Sequence, residues 1–213
     1  MTGRADANRR HILGVALAEL LRDPDASMEQ IARAAGVVRR TVYGHFPSRD
    51  ALIAALVDEA AVAVGAARAA AVASADDPQD AAEALARAVL AMWEIADGYR
   101  LLVSLAQRSV TMEGIRRRLE PVRREGEALL QRGLDTGRFT SPLPAAALAY
   151  VHEQVLFGLM QAVNEGVLDP AEAGRSAAVT VLAAAGVPAP EAGRLVTRLR
   201  GRAGTQPGKP GGS

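Results

Sequence analysis

The chain has 213 residues, 49% of them apolar, and a formal net charge of only +1 from 25 basic and 24 acidic side chains. That is enough for one compact body, or two of roughly 100 residues each, with a sizeable core. Cysteine is absent, which excludes disulfides, iron–sulfur clusters, thiolate zinc sites and a cysteine nucleophile. A three-histidine metal site would need His11, His45 and His152 together, so no metal or other cofactor is expected.

Every basic residue except Lys209 is arginine, and the aromatics number seven, few enough to follow singly. The N-terminus, Met1 to Arg10, is polar and does not lead into the apolar region of a secretion signal. The alanine-rich stretches Ala60 to Ala75 and Ala177 to Val187 are interrupted by Arg68 or short, whereas a membrane span needs about 20 strongly apolar residues. A cytoplasmic location without membrane contact is expected.

In chain order, the first segment has apolar residues Ile12, Leu13, Ala16, Leu17, Leu20 and Leu21 at three- and four-residue steps, which predicts a helix over 7–22 with one buried face. Asp23-Pro24-Asp25 stops it. Ser27 with Gln30 is a capping-box pair opening a second helix that buries Met28, Ile31 and Ala32 and ends at Gly36. A third helix fits Val38 to His45, and Ser48 then caps a long fourth one through Leu52, Ile53, Leu56 and Val57. Ala60 to Ala75, with ten alanines in sixteen residues, continues that helix until Asp76-Asp77-Pro78, where Pro78 suits the first turn of the next.

The remaining segments are also helical. Leu85, Val89, Met92, Trp93 and Ala96 mark one face of a helix ending near Asp97-Gly98, followed by a short apolar helix over 99–109. A charged segment, 111–136, stops at Gly137, and Pro121 either kinks it or starts a new helix. Helices over 144–165 and 171–185 flank the turn Gly166 to Pro170, a short one fits 190–200, and residues 201–213 read as a disordered tail. No run alternates as a strand would, and the fold class is all-α.

Residues 27–49 hold two short helices joined by a tight turn at Ala35-Gly36-Val37, behind a supporting amphipathic helix. This is a helix-turn-helix, whose second helix fits the DNA major groove. Four arginines, Arg33, Arg39, Arg40 and Arg49, stand against Glu29 alone, a balance of +3 in a nearly neutral chain.

The segment resembles the TetR family of bacterial transcriptional regulators. The resemblance is carried by I-A-x-x-A-G-V at Ile31 to Val37, T-x-Y-x-H-F at Thr41 to Phe46, Arg49 with Leu52, and upstream Arg9, Ile12-Leu13 and Ala16. It covers about the first 60 residues and implies a helix-turn-helix domain over 1–50 and a helical effector-binding and dimerisation domain over 51–200. Three departures stand out. Val38 replaces the serine that often caps the recognition helix, and Arg40 and Gly44 replace a smaller and a larger residue.

Arg39, Arg40 and Thr41 fall in the first turn of the third helix, where arginine suits guanine and threonine a thymine methyl or phosphate. Arg49 falls at the start of the fourth helix, and Ser27 with the Met28 amide at the start of the second, both suited to a phosphate oxygen. The resemblance implies phosphate contacts for Tyr43 and His45, and packing beneath the helix is the alternative for both.

Family resemblance further implies a homodimer on near-palindromic DNA. Its subunit contact is expected on the helices 144–165 and 171–185, through small residues such as Ala146, Gly158, Ala177 and Ala178 with Val163, Val181 and Leu182. Trp93, Tyr99, Tyr150, Gln154 and Phe157 are the candidates for contact with a small-molecule effector. A repressor released from its operator by that effector is the function expected. A constitutive DNA-binding or interaction protein is the alternative, and the absence of nucleotide loops and hydrolase motifs argues against an enzyme.

Overall fold

Alanine-rich sequence with apolar residues at three- and four-residue steps folds as packed helices. The computed structural model describes residues 2–75, 77, 80–109 and 112–203, and among them it contains ten helices and no strand. They are α1 (Thr2–Arg22), α2 (Met28–Ala34), α3 (Arg39–His45), α4 (Arg49–Ala73), α5 (Ala81–Ser109), α6 (Met112–Arg118), α7 (Glu120–Asp135), α8 (Ala145–Asn164), α9 (Pro170–Ala184) and α10 (Ala189–Ala203). No helix of the described residues is long and apolar enough to cross a membrane. The chain forms two compact units, residues 1–63 with 96–120, and residues 64–95 with 121–213.

In the first unit α1 packs on α2, and α2 on α3. The core is the one the periodicity marks: Ile12, Leu13, Ala16 and Leu20 of α1, Met28, Ile31 and Ala32 of α2, Val42 of α3 with Phe46 just after it, and Leu52, Ile53 and Leu56 of α4 are all buried. The guanidinium of Arg9 covers the Phe46 ring, 5.3 Å from its centroid. Gly36 closes α2 at φ 65, a left-handed conformation that glycine adopts without the Cβ penalty.

Two boundaries differ from the sequence expectation. Helix α1 begins at Thr2 instead of near Ala7. Its added residues, Gly3 to Ala7, are exposed and so leave no apolar spacing to detect. Helix α5 runs unbroken through Gly98 to Ser109, because one exposed glycine costs only about 1 kcal/mol in a helix and does not by itself stop one. The role expected for Pro78 lies outside the described residues. Asp80 is the cap observed there, its carboxylate accepting from the amides of Ala82 at 2.9 Å and Glu83 at 3.3 Å. Pro121 stands at the second position of α7, where a proline lacks no needed hydrogen bond.

In the second unit α9 packs against both α8 and α10. Ala173, Ala177 and Ala178 of α9 are wholly buried, their small side chains letting the neighbouring helices approach closely. Ala177, Ala178, Val181 and Leu182, with Val163 of α8, are therefore spent in this chain's own core and do not offer the subunit contact expected of them. Arg138 ties the unit together by pairing with Asp80 at 3.3 Å and Glu191 at 2.7 Å. Arg68, buried on α4, pairs with Glu125 of α7 at 2.9 Å. Residues Gly201 to Ala203 of the expected tail belong to α10, and 204–213 lie outside the described residues.

Phe139, in the bend after α7, packs its ring against Gly133, and the Phe139 N–H donates to the Gly133 carbonyl at 2.9 Å. A Cβ at Gly133 would fall 2.0 Å from the ring. Overpacking of this kind costs about 1–3 kcal/mol, so Gly133→Ala is expected to lower the unfolding free energy by that amount and the midpoint of chemical denaturation in proportion. An unchanged midpoint would show that the ring moves aside freely.

Candidate nucleic-acid interface

Helices α2 and α3 form the helix-turn-helix. At the start of α2 the capping box is complete: Ser27 Oγ accepts from the Gln30 amide at 3.2 Å, and the Ser27 amide donates to Gln30 Oε1 at 2.7 Å. Met28 directs its side chain into the core, leaving its backbone amide in the first turn, where helical N–H groups lack intrahelical partners. At the start of α3 the N-cap residue is Val38, with no side-chain cap bond. Its side chain is 69% exposed, an apolar group presented to solvent beside two arginines.

The first turn of α3 is cationic and outward-facing. Arg39 and Arg40 are exposed and Thr41 is half-buried. Arg39 pairs with Glu29 of α2 at 2.8 Å, and its guanidinium covers the Tyr43 ring 5.0 Å from the centroid and donates to the Tyr43 hydroxyl at 3.4 Å. Arg40 makes no hydrogen bond or ion pair with any described residue. Tyr43 is accordingly half-buried under Arg39 with its hydroxyl on the rim. His45 is half-buried beside Phe46, with ring centroids 6.2 Å apart, and its Nε2 accepts from the Asn8 side-chain amide of α1 at 3.4 Å.

Arg49 opens α4, as its position predicts, but its guanidinium points back. It donates to the carbonyl of Ala26 at 3.4 Å and to that of Pro24 by a shorter bond. Helix α4 is capped by Ser48, whose Oγ accepts from the Ala51 amide at 3.1 Å. Seven of the eight expected DNA-contact residues thus lie on or at the ends of α2 and α3, and Arg49 anchors the turn before α2. Sequence reasoning missed Glu29, which restrains Arg39, and the start of α1, whose Asn8 holds His45.

The candidates for effector contact divide. Trp93 is buried in the second unit against Gly174 of α9, where a Cβ would come within 2.9 Å of its ring. Tyr99 is half-buried on the part of α5 that belongs to the first unit. On α8, Tyr150 and Gln154 are exposed and Phe157 half-buried, at spacings that place them on one stripe. His152, on the opposite side of α8, is buried, and its Nε2 has no hydrogen-bond partner among the described residues. Among the described residues no group of His, Asp and Glu is placed to hold a metal ion.

An all-α chain whose amino-terminal helices form a helix-turn-helix with an exposed cationic turn defines a class of DNA-binding regulator folds. Residues 12–56 match the family of bacterial regulatory proteins, tetR family, so the chain carries the TetR-family N-terminal domain at the residues that form the motif. No curated protein sequence matches the chain. Among solved structures it is similar over most of its length to RolR in complex with resorcinol, with 20% identity, a TM-score of 0.66 and coverage of 93% of this chain and 97% of that one. It is also similar to the TetR-like regulator LfrR from Mycobacterium smegmatis in complex with proflavine, with 23% identity, a TM-score of 0.65 and coverage of 85% and 98%. A third neighbour is FadR from Bacillus subtilis in complex with stearoyl-CoA, with 16% identity, a TM-score of 0.68 and coverage of 82% and 98%. The likeness to these solved structures shows that the chain has the fold they share.

Proposed function

We propose that the chain is a ligand-responsive, non-enzymatic transcriptional regulator working in the cytoplasm, a repressor that binds a palindromic operator as a homodimer and leaves it when a small molecule binds. The observation that carries this reading is the first turn of α3, where Arg39, Arg40 and Thr41 stand exposed or half-exposed at the free end of a complete helix-turn-helix. Such a turn enters the major groove, with arginine donating to guanine O6 and N7 and threonine meeting a thymine methyl. Ser27, the Met28 amide, Tyr43 and His45 flank it and hold phosphates. Arg49 supports them by fixing the turn before α2.

Residues 1–50 form the DNA-binding part of this reading and 51–200 the effector and dimer part. Solved neighbours that hold resorcinol, proflavine and stearoyl-CoA support an effector. Within the second unit Trp93, Tyr150, Gln154 and Phe157 are the candidates for contact with it, and the exposed stripe of Ala146, Tyr150, Gln154 and Gly158 on α8 also suits a second subunit. Helix α4 begins at the DNA-binding motif and is the element through which ligand binding shifts the population of DNA-competent forms.

Selection of bound duplexes from a random pool tests the reading. A palindromic consensus with half-sites about one helical turn apart is expected. Absence of enrichment at low salt, where phosphate contacts are strongest, would refute DNA binding. Unchanged operator affinity at saturation by a compound that binds the protein would refute effector control and favour a constitutive DNA-binding protein.

A further inference from the structure

The first two turns of α1 bury nothing, yet they do not stand alone. With the α2–α3 turn and the recognition helix they enclose an open groove of about 720 Å³. Arg4, Asn8 and His11 form one wall, and Val38, Thr41 and His45 form the other. The helix spacing of Arg4, Asn8 and His11 aligns them on one face of α1. Two hydrogen bonds fix the walls to each other. His11 Nε2 donates to the Ala35 carbonyl at 3.1 Å, and the Asn8 amide donates to His45 Nε2 at 3.4 Å.

The chemistry of the groove is one-sided. Its lining contains a guanidinium, a side-chain amide, two imidazoles and a hydroxyl, and no carboxylate. It also shares Thr41 and His45 with the surface assigned to DNA above. A duplex seated on α3 by its major groove must pass one phosphodiester strand along a flank of that helix, and this groove is the flank that α1 walls in.

We propose that the groove seats one strand of the operator backbone, with Arg4 as its cationic contact to a phosphate and Asn8 as the residue that positions His45. The inference rests on the DNA-binding reading. It adds the start of α1 as a separate backbone contact, which contributes affinity and carries no base preference. It also accounts for a helix that continues for two turns past its last buried residue.

The test is operator affinity of the full chain as a function of salt, for the unaltered protein, Arg4→Ala and Arg10→Ala. Arg10 is also exposed on α1 but does not line the groove, so its loss changes charge equally without removing the contact. For Arg4→Ala the slope of log K against log salt should fall by about 0.9 per half-site. Affinity should drop by a similar factor on operator and on unrelated duplex, with the selected consensus unchanged. Arg10→Ala should keep the parent slope. Thermal melting of both variants checks that they fold, as exposed positions predict.

An Arg4→Ala slope equal to the parent's, or equal to that of Arg10→Ala, would overturn the assignment while leaving the DNA-binding reading intact. A changed consensus would mean that Arg4 reads bases and would overturn it too. If the unaltered protein binds no duplex, both readings fall together.

Discussion

Replacing Arg40 by alanine is expected to weaken operator binding and to erase the preference for one base pair in each half-site. Arg40 is exposed and unpaired among the described residues, so none of them competes for its guanidinium. A bidentate arginine–guanine contact carries about 1–3 kcal/mol of discrimination, roughly 5- to 150-fold, and a homodimer loses it twice. Arg39 starts from a different state, because it must leave Glu29 at 2.8 Å before it can reach a base. Exposed pairs of this kind are worth about 0–1 kcal/mol. Arg39→Ala should therefore cost somewhat less than Arg40→Ala, and Glu29→Gln should tighten binding by up to about fivefold. Fluorescence anisotropy on operators with single base-pair changes reads all three. Equal affinity and an unaltered base preference for Arg40→Ala would remove it from the recognition surface.

Acidification should destabilise the second unit through a single side chain. His152 is buried on α8 with only 6% of its surface exposed. Burial, partly offset by the Val181 carbonyl, lowers its pKa from 6.5 to about 4. Above pH 6.5 the imidazole is neutral in the folded and unfolded chain alike and costs nothing. As pH falls below 6.5 the unfolded chain takes up the proton first, so stability declines until the folded form also protonates near pH 4, and it is then constant. A shift of this size corresponds to about 3 kcal/mol. Urea denaturation across pH 4–7 should show that loss in the parent and a flatter profile in His152→Gln, which carries no ionisable group. Parallel profiles would mean that His152 protonates as readily in the fold as in solution.

The recognition half of the molecule was legible because its signals are local. A capping pair three residues apart, a glycine that must adopt positive φ, and a four-residue apolar rhythm each act within one turn or helix, and α2 through α4 follow them closely. Elements that depend on partners distant in sequence were not. The start of α1 has no buried residue to announce it, so the helix expected over 7–22 held Asn8 and His11 but left out Arg4, which the observed start at Thr2 aligns with them. Gly98 looked like a break because intrinsic propensity cannot report the stability of the 29-residue helix around it. The alanines of α9 had two physical uses, contact between chains or closeness within one, and sequence spacing is identical for both. Arg49 was correctly placed, but a side chain's position says nothing about which way it reaches. Here two carbonyls across the chain decide that.

Those two carbonyl bonds also determine how the reading head responds to force. Arg49 begins α4 and holds Pro24 and Ala26 at the other end of the motif, so the Pro47-Ser48 break is bridged by a strut and does not act as a free joint. A displacement of the first turn of α4 would therefore carry the start of α2 with it. Under the proposed function, the base-reading surface would then stay intact when DNA is released.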